Sequence, residues 1–153
     1  MSSNTITVGE YLYEEKICLT NIVEFGASFQ GVVSTQETLP PQGARFDVTV
    51  EGELSGPKLK GKIAGVDYVY MRGDGNTRLH VHAEITTEDG ERISFFADGV
   101  SVPEEGTGIL QIRENVTLHT ASSAYSWVNQ LQIWAQGTAD LAKGEVYLKG
   151  YVA

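Results

Sequence analysis

The sequence predicts an all-β protein, an antiparallel barrel in one domain, and three observations predict it. Short stretches of period-two hydrophobic alternation recur along most of the 153 residues, the spacers between them carry glycine, proline, aspartate or asparagine, and no long helical periodicity interrupts them. Nine stretches read as strands: residues 44–51, 59–64, 67–72, 78–86, 91–97, 108–112, 116–121, 131–136 and 144–152. Two turns between them have a stated mechanism. Asp74 and Asp89 are each followed by glycine, a pairing that tolerates positive φ and joins adjacent antiparallel strands as tight hairpins. Pro40 and Pro41 fix an extended entry into the strand that begins near Ala44. Residues 102–108 form a loop that could border a pocket. Residues 1–42 are expected to pack on the barrel as an N-terminal segment, with Ile17, Leu19, Ile22, Val23 and Phe25 in a strand pair or short helix and residues 1–5 frayed; residues 43–153 form the main part of the barrel.

Composition limits the function classes. Twenty acidic against eleven basic residues give a net charge of −9, and no basic stripe interleaves with aromatics, so a nucleic-acid partner is excluded. No apolar run approaches the roughly 18 to 20 residues that span a bilayer. A single cysteine, Cys18, rules out an internal disulfide, and with no secretory signal it points to the cytoplasm. The phosphate loop, nucleophile elbow, dinucleotide fingerprint and His-Glu-x-x-His helix are all missing, so no cofactor is expected.

Candidate chemistry gathers at a few positions. In the strand 78–86 alternation sends Leu79, Val81, Ala83 and Ile85 to one face and Arg78, His80, His82 and Glu84 to the other. If the apolar face packs inward, the histidines meet water or a partner subunit. If the strand is inverted, they face a ligand inside the barrel. A His-x-His pair can also share a metal ion, but no third ligand is placed by the sequence and no metal site is expected. Asp67 follows the Ala64-Gly65-Val66 turn and Asp98 interrupts the apolar run from Ile93 to Val100; either could be held in a dry setting, where burial would raise a carboxyl pKa and suit it to general acid–base work. Arg72, on the same predicted strand as Asp67, could orient an oxyanion or pair with a carboxylate. Tyr125, Trp127 and Asn129 alternate, so an extended backbone would line one wall with a phenol, an indole N–H and a carboxamide; the other reading is a core aromatic pair with Asn129 satisfying a bend.

The ordered set Gly43-Ala-Arg45, Gly52 to Gly61, Gly65-Val-Asp67, Arg72-Gly-Asp-Gly75, Glu88 to Ile93, Tyr125 to Asn129 and Gly137 resembles the DUF3237 family, also called UPF0311, over about residues 43–152. The resemblance implies a calycin-like β-barrel and marks Asp67, Arg72, Asp74, Trp127 and Asn129. The chain departs from the family pattern at Val66 and Tyr68, and the His80 and His82 pair lies outside that pattern. Together these readings lead to an expected cofactor-independent lyase or isomerase, of a cyclase or epoxide-opening type. It would act on a small apolar metabolite, aromatic or terpenoid-like, inside the barrel. Asp67, Arg72, His82 and Asp98 are the expected catalytic residues, and His80, Tyr125, Trp127 and Asn129 the expected substrate contacts. The alternative is a non-catalytic barrel that binds a small hydrophobic ligand. Strand edges and alternating faces suggest a homodimer.

Overall fold

The computed structural model describes residues 8–34 and 37–153. Eight antiparallel strands close into a barrel in simple sequence order, β1 (Tyr11–Glu24), β2 (Ala44–Ser55), β3 (Lys60–Met71), β4 (Thr77–Thr87), β5 (Arg92–Pro103), β6 (Ile109–His119), β7 (Ile133–Asp140) and β8 (Glu145–Val152). A short helix α1 (Phe29–Val33) follows β1, and a 3₁₀ segment η1 (Ser123–Gln130) follows β6. The expected all-β barrel therefore forms. No helix among the described residues is long and apolar enough to cross a membrane.

Two differences from the expected strand list have physical causes. Residues 59–64 and 67–72 were separable on sequence because Gly65 looks like a turn, yet β3 runs unbroken through it. A Cβ at Gly65 would lie 2.5 Å from the Ala83 Cα, so the glycine permits close approach of β3 and β4 and does not reverse the chain. Likewise 108–112 and 116–121 join as β6, because Arg113, Glu114 and Asn115 simply continue the alternation. The eighth strand comes from the N-terminal segment. Tyr11–Glu24 is a stave of the wall, paired with β2 on one side and β8 on the other, so the expected boundary at residue 42 does not follow the architecture. Closure also leaves no open strand edge in the wall, which removes edge pairing as a reason for a homodimer. The expected fraying of residues 1–5 lies outside the described residues.

Both expected hairpins form. Gly75 and Gly90 adopt φ of +89°, and their N–H groups close turns onto the carbonyls of Arg72 and Thr87, both at 2.9 Å. The barrel then divides along its axis. Toward the end that carries the β2–β3 and β4–β5 turns, Leu54, Leu59, Ile63, Ile85, Ile93, Phe95, Val116 and Ile133 are all essentially inaccessible. Val128 of η1, also inaccessible, plugs that end. Tyr13 joins this packing edge-on to Phe95, with ring centroids 6.5 Å apart. Its ring lies over the bare backbone of Gly150, where a Cβ would come within 2.4 Å of it. The opposite half holds a cavity of about 70 Å³. Phe29 of α1 reaches that cavity and packs at 5.2 Å, edge to face, on Phe46.

Candidate active site

The inward register of each strand is apolar, with three exceptions that matter. On β1 the inward series is Tyr13, Glu15, Ile17, Leu19; on β3 it is Gly65, Asp67, Val69, Met71; on β6 it is Ile112, Glu114, Val116. In each series the carboxyl stands between a residue that lines the cavity (Ile17, Val69, Ile112) and one that does not (Tyr13, Gly65, Val116). Glu15, Asp67 and Glu114 therefore form the floor of the hollow half, where the solid packing begins. Thr77 and Ser101 are the other polar side chains that line it, and the remaining lining is hydrophobic.

Burial sets the protonation of this floor. Glu15 is 3% and Glu114 6% exposed, and loss of hydration penalises the ionised form of each. The Glu15 carboxyl is pushed up to about 7, first by burial and then by the charge of Asp67. Glu114 is pushed well above the ordinary range by burial, then by the charges of Glu15, Asp67 and Asp98. Asp67 is raised to about 6 by burial, although the His80 backbone N–H and the His80 charge oppose the shift. That N–H donates to Asp67 Oδ1 at 3.0 Å. It is free to do so because the β3–β4 pairing lapses opposite Tyr68 and Val69. Three buried polar atoms lack a hydrogen-bond partner among the described residues: Tyr13 Oη, Glu15 Oε2 and Ser101 Oγ. Native interiors seldom leave such atoms unpaired, and sites that handle a ligand are a recognised exception.

The structure separates most of the residues expected to act together. Asp67 lines the cavity. His80 and His82 do not, because Leu79, Val81 and Ile85 take the inward register of β4. Their imidazoles lie outside, Nε2 to Nε2 at 3.1 Å, among Tyr68 and Phe96 with centroids 5.2 to 6.3 Å apart. The inverted strand is thus corrected: apolar side chains lead inward because the barrel interior is where they leave water. Asp98 is likewise on the outer wall and accepts from Asn115 Nδ2 at 2.7 Å. Arg72 sits in the β3–β4 turn, 2.7 Å from Asp74, and does not reach the cavity lining.

The wall expected from Tyr125, Trp127 and Asn129 does not form, because a 3₁₀ backbone brings residues three apart, not two, onto one face. Tyr125 Oη donates instead to Asp89 at 2.7 Å. Asn129 clamps Thr120, accepting from its N–H at 2.8 Å and donating to its carbonyl at 2.9 Å. Trp127 packs half-buried against the solid half. The family-marked positions at the end of the chain thus hold η1 in place.

Glu15 and Glu114 were not among the site residues expected from the sequence. The signal was present in the run Leu110, Ile112, Glu114, Val116, Leu118, where a carboxyl occupies an apolar register.

The molecule is a small closed up-and-down barrel, solid at one end and hollow at the other, with an acidic floor between. The chain belongs to the DUF3237 family, described as a protein of unknown function, whose model matches residues 19–153. Solved structures share the fold at low identity. A β-barrel-like protein from Acinetobacter baumannii AYE has 21% identity and TM-score 0.76, with 99% of each chain covered. A protein with unknown function from Clostridium acetobutylicum has 22% identity and TM-score 0.75, covering 94% of this chain and 97% of its own. A protein described as an enzyme from Penicillium herquei has 19% identity and TM-score 0.64, with 99% of each chain covered. No curated protein matches the chain.

Proposed function

We propose that the protein is a cofactor-independent lyase or isomerase, of a cyclase or epoxide-opening type, that turns over a small, mostly apolar metabolite in the hollow half of the barrel. One observation carries this reading: Glu15, Asp67 and Glu114 converge on the floor of an otherwise hydrophobic cavity. Carboxyls held there exchange protons near neutral pH, which ordinary carboxylates do not. Glu114, whose carboxyl burial and its acidic neighbours push well above the ordinary range, is the acid. Asp67, raised to about 6 yet ionised at neutral pH, is the base, and Glu15 at about 7 relays between them. The aliphatic walls exclude water from a reactive intermediate. The Penicillium herquei protein that shares the fold is described as an enzyme, so this barrel can house one.

A panel of small epoxides and alkenols incubated with the protein tests the reading, with products followed by mass spectrometry. Turnover is expected, and Asp67→Asn or Glu114→Gln should lower it by roughly 10² to 10⁴, the usual contribution of a positioned acid or base. Full turnover in both variants contradicts the scheme. The second reading, a barrel that only binds a hydrophobic ligand, is favoured by the outward placement of His80, His82 and Asp98; it predicts the ligand recovered unchanged.

A further inference from the structure

We propose that the ligand of the hollow half is a compact apolar ammonium ion, its positive head on the floor formed by Glu15, Asp67 and Glu114 and its hydrocarbon body along the aliphatic wall above. This rests on the reading that the cavity is the ligand site, and it adds the charge of what binds there.

Three carboxyls line the cavity, and no lysine, arginine or histidine side chain lines it with them. Buried carboxylates in folded proteins are ordinarily matched by a cation or by several hydrogen-bond donors. Among the described residues the only donor to any of the three is the His80 backbone N–H to Asp67. Arg72 and Arg78, the arginines closest in sequence to β3 and β4 positions of the site, are exposed, and Arg72 is paired with Asp74. Among the described residues the floor therefore has acceptor capacity with no partner, and it turns negative as Asp67 and Glu15 ionise at about 6 and about 7.

A second observation is independent of the acids. Ser101 Oγ lines the same cavity, is fully buried and has no hydrogen-bond partner among the described residues. A hydroxyl so placed serves a ligand's polar head. The Glu15 Oε2 atom is unpartnered in the same space. Among the described residues no three His, Cys, Asp or Glu side chains are arranged to hold a metal ion. A cation held by charge and hydrogen bonds fits better, and a primary ammonium offers three donors and no acceptor. An anion would meet repulsion from the ionised Asp67, and a neutral alcohol would compensate none of that charge.

The size of the space limits the guest. At about 70 Å³ the cavity accepts a head group and a short chain, and Ala139 in its wall is a place where added bulk would exclude them.

Proton linkage gives the test. The titratable groups that face the ligand are Glu15 from β1, Asp67 from β3 and Glu114 from β6; Tyr13 stands behind Glu15 and Asp98 acts on Glu114 from outside. The linings from α1, β2, β4, β5, β7 and β8 contribute no ionisable side chain. An ammonium on the floor favours the ionised carboxyls, so binding releases protons and tightens as pH rises through the range where they titrate. An alkylammonium itself stays charged there, as a lysine side chain does. A neutral guest further dehydrates the acids, so it binds with proton uptake and weakens as pH rises.

The experiment is isothermal titration of the intact protein with ethylammonium and with ethanol at about pH 6 and about pH 8, in two buffers of different ionisation enthalpy. Ethylammonium should bind at least about tenfold more tightly than ethanol at the higher pH, as expected for charge-assisted hydrogen bonds. It should also release protons. Glu15→Gln and Asp67→Asn should each weaken ethylammonium about tenfold and not weaken ethanol, whereas Ala139→Leu should weaken both. If ethanol binds as well as ethylammonium at the higher pH, or ethylammonium binds with proton uptake, the cation inference fails and the cavity remains the ligand site. If neither binds, or Ala139→Leu changes neither, the cavity is not the site and both readings fall.

Discussion

The two halves of the barrel use the same strands and differ in what the inward register carries. In the solid half Ile63, Ile85, Ile93, Val116 and Leu118 are buried in the hydrophobic core cluster and do not line the cavity. In the hollow half the inward side chains, Val48, Val81, Ala139 and Ser101 among them, leave a space at the axis unfilled. The lesson is a division of labour: packing that secures the closed ring is concentrated at one end, so the other end can keep an unfilled volume and three acids that destabilise it. Functional sites commonly violate the packing and polar-satisfaction rules that the rest of a fold obeys.

The contrast can be broken most strongly by emptying the solid half. Ile85→Ala should cost about 2–5 kcal/mol in urea unfolding, because a close-packed position gains a cavity. Val81→Ala, which only enlarges an existing space, should cost less than about 1.5 kcal/mol. Equal losses at both sites would mean that the halves are not packed differently.

Glu15→Gln gives the next largest effect, and its sign is opposite to that of a usual core substitution. The Glu15 pKa is raised in the folded protein, from the ordinary 4.5 to about 7. The folded state therefore binds the proton more tightly, and the stability this contributes is complete below the unfolded value and lost as pH rises through about 7. Glutamine never ionises. The variant should be more stable than the parent by about 1–3 kcal/mol above neutral pH and should show a flatter pH–stability curve. An unchanged curve would show that Glu15 is not held in a dehydrated setting.

Overfilling separates the halves in the other direction. Ala97→Leu, at a fully buried position, should cost about 1–3 kcal/mol, while Ala139→Leu, facing the cavity, should change stability by less than about 0.5 kcal/mol. Arg72→Ala should have the smallest effect, within about 0.5 kcal/mol, because an exposed ion pair in a turn contributes little.

How far the sequence carries the fold and the site follows from the same contrast. The wall was legible because alternation and Asp-Gly turns are local signals, each readable within a dozen residues. Merging 59–64 with 67–72 was not, since only the neighbouring Ala83 backbone reveals why Gly65 is present. Tyr125, Trp127 and Asn129 misled for a related reason: period-two spacing carries no meaning in a 3₁₀ segment. Asp67 was legible as a carboxyl beside the apparent turn at Gly65 and as a family-marked position. Its partners were not, because Glu15 and Glu114 meet it only through closure of the ring, at a sequence separation that no local pattern spans. Their own strands held the clue, an acid in the inward register.

The central claim is that Glu15, Asp67 and Glu114 are acids held in a dehydrated floor. Carbon-13 NMR titration of the side-chain carboxyls, assigned with the Glu15→Gln, Asp67→Asn and Glu114→Gln variants, measures this directly. The account predicts that Glu15 titrates near 7 and Asp67 near 6, with Glu114 well above ordinary glutamates. Titration of all three in the ordinary range of about 3.5–4.5 would contradict it.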